Sequence, residues 1–270
     1  MKFILDRKNV QPNPTLEFAE SLIEKAKGSN EIVSIGGGST IDCAKYVAWK
    51  LKIPHTAIPT TAGTGSEVTK YAVFIKNGRK ISFEDNALIP TNYILDASRV
   101  VSLPKNQTAY TGLDALSQAI ESYWSPYATS ESKQWAKIAI KYCSKYLYES
   151  YQYPYSEVLR MKMLLAANYS GRAINITRTS VCHAISYPLT TRYNIPHGQA
   201  CAHTLAFFTD YFGISLMKIN SLRIKKLIRE MDAEIKIDFD KELVANEAMQ
   251  SERYKNTPKG VSKEIILQSL

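Results

Sequence analysis

The sequence predicts an α/β unit followed by an all-α unit, with the change of texture near Pro104. Three observations carry this. Strand-length apolar runs alternate with amphipathic helical periods before Pro104; two glycine-rich loops each follow such a run; beyond Pro104 glycine becomes sparse and a 3.6-residue apolar period persists.

Taken in order, residues 15–27 (TLEFAESLIEKAK) place Leu16, Ala19, Leu22, Ile23 and Ala26 on one helical face. Residues 31–35 read as a short buried strand, and Gly36-Gly37-Gly38-Ser39 leads from it into a helical pattern over 40–51. A strand over 55–58 ends at Pro59 and opens into Thr60-Thr61-Ala62-Gly63-Thr64-Gly65-Ser66-Glu67, dense in hydroxyls and glycine. Runs 71–75 and 80–83 flank Asn77-Gly78, the strongest short hairpin signal. Residues 92–95 give one more strand. Helical periods then cover 107–123, 131–148, 157–174, 182–191 and 200–212, and residues 223–229 (RIKKLIR) read as the solvated face of another helix. The domain division expected is 1–104 and 105–270.

Composition narrows the function classes. Of 270 residues 45% are apolar and 22% charged, which excludes a disordered or collagen-like chain. No apolar run reaches the ~18 residues of a membrane span, and the opening MKFILDRKNVQPNP has no signal-peptide core, so a cytoplasmic protein is expected. Cys43, Cys143, Cys182 and Cys201 have no paired spacing and are expected as reduced thiols. The net charge of +9 is spread along the chain, without zinc-finger spacing or a basic aromatic strand, so neither nucleic acid nor a membrane is expected as a partner.

The chemistry-bearing residues fall into two groups. Gly37, Gly38 and Ser39 open a helix, where free amides and the positive dipole end suit a phosphate; a tight turn with Ser39 or Thr40 as cap is the plainer alternative. In a parallel sheet, loops at the carboxyl ends of strands converge on one crevice, so Thr60, Thr61, Thr64 and Ser66 would face the same ligand. In the helical half, Asp114 and Gln118 share a face at i,i+4, as do His183 and Tyr187, and His197 follows in Ile195-Pro-His-Gly198. One carboxylate and two imidazoles with an open position suit Zn²⁺ or Fe²⁺ as a Lewis acid; a helix cap and two core histidines are the alternative. His55 is read as structural and His203 as lining the site.

The motifs GGGSTIDCAK, PTTAGTGSEVT, TGLDALSQAIESYWS and HAISYPLTTRYNIPHG, in this order and at these intervals, resemble the iron-containing alcohol dehydrogenase family over about residues 10–212. The SQAIESYWS and ISYPLT wording is most similar to its phosphonoacetaldehyde reductases and related small-aldehyde reductases. The resemblance implies a dinucleotide-binding parallel-sheet domain, an α-helical metal domain and a cleft between them. It implies NAD or NADP held by Gly37, Gly38, Ser39, Thr60, Thr61 and Thr64, with Lys80 near the cofactor, and Fe²⁺ or Zn²⁺ held by Asp114, His183 and His197. Gln118 stands where most members carry a ligand histidine, and Tyr187 where many carry a histidine for proton transfer.

The expected activity is reduction of a small aldehyde, with phosphonoacetaldehyde to 2-hydroxyethylphosphonate as the specific candidate. Arg178 and Arg192, flanking the His183 helix, are the expected phosphonate contacts. Only 35 residues precede Gly36, which leaves no room for the family's complete first βαβ unit; the sheet domain is therefore expected to be incomplete. That shortening, with Gln118 and Tyr187, motivates an alternative: an inactive homologue serving as an interaction subunit. Either way a homo-oligomer or a complementing chain is expected, because absent strands would leave apolar surface. Chemistry of the dehydroquinate-synthase kind is disfavoured by the same SQAIE and ISYPLT wording.

Overall fold

The computed structural model describes residues 1–270. Its sheet holds four parallel strands, β1 (Lys2–Asp6), β2 (Glu31–Gly36), β3 (His55–Pro59) and β6 (Asn92–Tyr93), in the spatial order β1-β2-β3-β6. The hairpin β4 (Tyr71–Lys76) and β5 (Arg79–Glu84) forms a separate antiparallel pair. Its turn residues Asn77 and Gly78 both have positive φ, the backbone that a two-residue hairpin turn requires. Strand β1 carries no alternating signal in the sequence because Leu5 is its single buried side chain. The 92–95 strand is shorter than expected: after Tyr93 the chain keeps one more bond, Ile94 N–H to the Ala57 carbonyl, and leaves the sheet.

Helices α1 (Leu16–Ala26) and α2 (Gly38–Leu51) pack with β1, β2 and the hairpin around one apolar core that includes Leu5, Leu22, Ile32, Val47 and Phe74. A second, larger core joins α3 (Lys105–Trp124), α4 (Ser130–Gln152), α5 (Glu157–Thr177), α6 (Val181–Tyr193), α7 (His197–Tyr211), α8 (Ser221–Glu230), α9 (Lys241–Gln250) and α10 (Lys263–Ser269). The basic run 223–229 lies on α8, with Ile224, Leu227 and Ile228 turned inward. No helix is long and apolar enough to cross a membrane.

Two features set up the cleft between the cores. In the β2–β3 register Gly36 lies opposite Pro59, so the loops that follow these strands leave the sheet side by side, and the Thr60 amide still donates to the Gly36 carbonyl at 3.0 Å. The second loop is wedged into the helical unit. Ala62 belongs to the helical core, and Gly65 (φ +59°) meets Gly171 of α5 so closely that a Cβ on Gly171 would lie 2.6 Å from the Gly65 carbonyl oxygen.

His55 is 3% exposed, with Nε2 2.8 Å from the Ser34 hydroxyl and Nδ1 unpartnered. Burial, with Lys45 adding to it, pulls its pKa down to about 3, whereas the unfolded chain titrates near 6.5. Between those values the unfolded state holds the extra proton, so stability falls as pH falls, by about 1.4 kcal/mol per pH unit for this one group. His55→Gln keeps a partner for Ser34 and removes the titration. Urea unfolding at pH 6.5 and 4.5 should then show a loss about 2 kcal/mol smaller than in the native chain; an equal loss would contradict this account.

Candidate active site

A cavity of about 750 Å³ runs along the cleft. At one end α2 begins with Gly37 as N-cap, and no side chain caps its first turn. Gly37 and Gly38 lie against the second loop, where a Cβ would meet Thr61 at 3.2 Å and Thr64 at 2.8 Å. Glycine here lets the two loops close into a single cradle of amides and hydroxyls. Gly37, Gly38, Ser39, Thr60, Thr61 and Thr64 all line the cavity. An uncapped helix terminus in such a cradle fits the pyrophosphate of a dinucleotide.

At the other end α3, α6 and α7 converge. Gly198 decides how closely: a Cβ there would sit 1.9 Å from the Tyr110 carbonyl oxygen and 3.1 Å from Asp114 Cβ. Without it, the first turn of α7 rests on α3 and brings His197 to Asp114, Nε2 to Oδ1 4.0 Å, while His183 Nε2 lies 3.3 Å from the same oxygen.

Both imidazoles are held from behind. Glu121, fully buried, takes His183 Nδ1 on one carboxylate oxygen and the backbone amides of Ser180, Cys182 and His183 on the other, so it also caps α6. Ser186 faces His197 Nδ1 at 3.2 Å. The remaining nitrogens aim at Asp114, an orientation that metal-binding histidines commonly receive from such partners. Burial raises the Asp114 carboxyl, but the two histidines outweigh it and its pKa lies below the usual value. Burial and Lys80 hold His197 well below the imidazole range, hence neutral, the form that ligates.

The fourth side chain of the cluster is Cys201. The ligating atoms of Asp114, His183, His197 and Cys201 all lie within 4.8 Å of one another. A carboxylate, two imidazoles and a thiol gathered in one cluster suit a divalent transition metal. Gln118 is buried beside them but turned otherwise: its amide nitrogen donates to Asp114 Oδ1 at 3.2 Å and its oxygen accepts from Ser170 at 3.0 Å. Gln118 thus lines the cavity beside Asp114 with its amide oxygen turned to Ser170 rather than into the cluster.

Tyr187 lines the cavity, with its ring 6.3 Å from that of His197 and Lys80 Nζ 4.9 Å over its face. Its hydroxyl accepts from Arg253 Nε at 3.3 Å. Burial pushes the phenol up, but Arg253 and Lys80 outweigh it and bring it below the ordinary phenol value. Arg253 is 7% exposed, also bonded to the Ser82 hydroxyl at 2.9 Å, and has no carboxylate within ion-pair reach.

The two arginines expected at the substrate part ways. Arg178 pairs with Glu84 and lines an adjoining cavity with Lys80, Tyr187 and Arg253, whereas Arg192 pairs with Glu247 and lines neither that cavity nor the cleft. On a helix with ~100° per residue, Arg192 sits opposite His183 and about 140° around from Tyr187, which forces it outward. His203 also stays outside, against Phe239.

Family models for iron-containing alcohol dehydrogenases match this chain over residues 5–97, and for their C-terminal part over residues 108–251. The chain belongs to the iron-containing alcohol dehydrogenase family. Among relatives of this iron-containing alcohol dehydrogenase family chain, the phosphonoacetaldehyde reductase of Streptomyces viridochromogenes is 34% identical over 227 residues, 74% of this chain and 57% of the relative. The chain spans about half the length of the curated relatives it matches. Two solved family folds are similar over 96% of it: the sulfoacetaldehyde reductase of Bifidobacterium kashiwanohense in complex with NAD⁺ (26% identity, 81% of that chain, TM-score 0.87), and the iron-containing alcohol dehydrogenase of Thermotoga maritima (28% identity, 80% of that chain, TM-score 0.85). The expected family and the α/β plus all-α architecture are thus correct.

Proposed function

We propose that this chain is a metal-dependent, nicotinamide-linked reductase of small aldehydes that carry an anionic head, such as a phosphonate or sulfonate. The observation that carries the substrate class is Arg253: a buried guanidinium with only hydroxyl partners, beside the metal-type cluster. The Glu84 carboxylate acts on it only from beyond contact, so an anionic ligand placed against the guanidinium would gain a close, desolvated partner. Lys80, on the other side of Tyr187, adds a second positive charge. The similarity to a phosphonoacetaldehyde reductase and a sulfoacetaldehyde reductase agrees with this reading.

In this reading residues 1–104 take the cofactor and 105–270 the metal and substrate, with β5 bringing Lys80 across. The amides of Gly37, Gly38 and Ser39 receive the pyrophosphate, and Thr60, Thr61 and Thr64 hydrogen-bond along the phosphates and toward the nicotinamide. Asp114, His183 and His197 would hold Zn²⁺ or Fe²⁺. When bound, the metal supplies Lewis acidity to the carbonyl oxygen and the reduced nicotinamide supplies the hydride. Arg253 anchors the head group and so fixes which face of the aldehyde is presented. Tyr187 Oη, its pKa lowered by Arg253 and Lys80, gives its proton to the carbonyl oxygen as charge develops there. Lys80 stabilises the phenolate left behind.

A reducing compartment belongs to the same reading, supported by four free, buried cysteines. So does association with a second copy or a complementing chain, supported by the unpaired outer edge of β1, on which Ile4 is 60% exposed.

The test is oxidation of NADH and NADPH by phosphonoacetaldehyde, sulfoacetaldehyde and 3,3-dimethylbutanal, the last a neutral counterpart of the first in shape. The anionic aldehydes should be preferred by about 100-fold in kcat/KM, the worth of one desolvated charge-assisted contact. Equal use of the neutral aldehyde would refute the substrate class. Tight cofactor binding with no turnover of any aldehyde would favour the inactive-subunit alternative.

A further inference from the structure

Gln118 turns its donor N–H to Asp114 and its oxygen to Ser170, and the fourth ligating side chain of the cluster is Cys201. His197 and Cys201 are four residues apart on α7 and therefore share a face, which the contact of Gly198 with α3 lays over Asp114. Cys201 is fully buried, and its Sγ lies 3.8 Å from each ring nitrogen of His197. Around an ion with N/O bonds of about 2.0–2.2 Å and a sulfur bond of about 2.3 Å, tetrahedral edges are roughly 3.3–3.8 Å. The separations are 3.3 Å for His183–Asp114, 3.8 Å for Cys201–His197 and 4.0 Å for His197–Asp114, with all four ligating atoms within 4.8 Å of one another, so a contraction of at most about 1 Å reaches that shape. Gln118 meanwhile points its amide N–H at Asp114 and turns its oxygen to the Ser170 hydroxyl.

We propose that Cys201 is a metal ligand in this chain, giving an Asp114–His183–His197–Cys201 set that selects Zn²⁺ over Fe²⁺. It rests on the reading that the cluster holds a metal. A thiolate is the softest of the donors, and N, O and S ligands in tetrahedral array are a zinc environment. Gln118 is a positioning residue, acting through Asp114.

Cobalt(II) separates the two layers of the inference, because its visible d–d bands report binding and a sulfur-to-cobalt charge-transfer band in the near ultraviolet reports a thiolate bond. Adding Co²⁺ to the metal-stripped full chain should give both. Cys201→Ser should retain the d–d bands, lose the charge-transfer band and bind Co²⁺ at least tenfold more weakly. Cys182→Ser and Gln118→Ala should keep both bands. Equimolar Zn²⁺ and Fe²⁺ offered together under argon should leave mostly zinc on the native chain, and less selectively so on Cys201→Ser. If the native chain shows d–d bands without charge transfer, or Cys201→Ser keeps the charge-transfer band, Cys201 is not a ligand although the metal reading stands. Loss of cobalt binding in Gln118→Ala, with no charge transfer in the native chain, would give the position to Gln118. No cobalt binding at all would overturn the metal reading and this inference with it.

Discussion

Arg253→Met is expected to collapse the preference for anionic over neutral aldehydes by about 100-fold. Methionine keeps the packing against Tyr71, over whose ring the guanidinium carbon sits at 5.0 Å, and removes only the charge and its hydrogen bonds. Truncating one partner of a buried charged pair costs about 2–5 kcal/mol, and ~2.7 kcal/mol is a factor of 100. The measured quantity is the ratio of kcat/KM for phosphonoacetaldehyde to that for 3,3-dimethylbutanal. Because Arg253 also lowers the Tyr187 pKa, turnover of both substrates should shift to a more alkaline profile, but that common change cancels in the ratio. A ratio unchanged from the native chain would remove Arg253 from the substrate site.

Glu121→Gln should weaken metal binding by about 10–100-fold and destabilise the fold by about 3 kcal/mol. The carboxylate serves three backbone amides at the start of α6 and the Nδ1 of His183 at once. An amide of the same shape can accept on one oxygen only and turns its N–H₂ either toward the α6 amides, where two sets of donors collide, or toward His183, whose tautomer must then change. The stability figure follows from a buried group left unsatisfied together with a lost charge–dipole contact. Metal affinity by competition with a chelator and urea midpoints of the metal-free chain measure the two effects separately. Loss of stability with unaltered affinity would mean that Glu121 caps α6 without tuning His183.

Most of the architecture was legible because it rests on local signals. The Asn77-Gly78 turn, the glycine loops after β2 and β3, and the apolar periods of α3 to α7 each reach expression within a dozen or so residues. The strand β1 was not, since only Leu5 faces inward and no alternation marks it.

The site divides in the same way. Asp114, His183 and His197, which the structure brings together, came from the resemblance of the motifs to the family; spacing alone left a helix cap and two core histidines still open. Cys201 was missed by a boundary: with the helix begun at Ala200, His197 falls before it and the i,i+4 pair with Cys201 disappears, whereas α7 starts at His197. Arg253 had no signal at all. It follows α9 in a short turn, and reaches Ser82, 171 positions earlier, only because the C-terminal segment folds back along the cleft. Arg192 illustrates the opposite error, a residue near the site in sequence whose helical phase and acidic neighbour Glu247 hold it outside.

The contact of Gly65 with Gly171 ties together two positions 106 residues apart. With backbone against backbone on both sides, neither can acquire a side chain unless the other element retreats, and the element that would retreat from α5 carries Thr60, Thr61 and Thr64. Variation at one position is thereby constrained by the other, and a lineage that lost either glycine would inherit a displaced hydroxyl loop before any cofactor-contacting residue had changed.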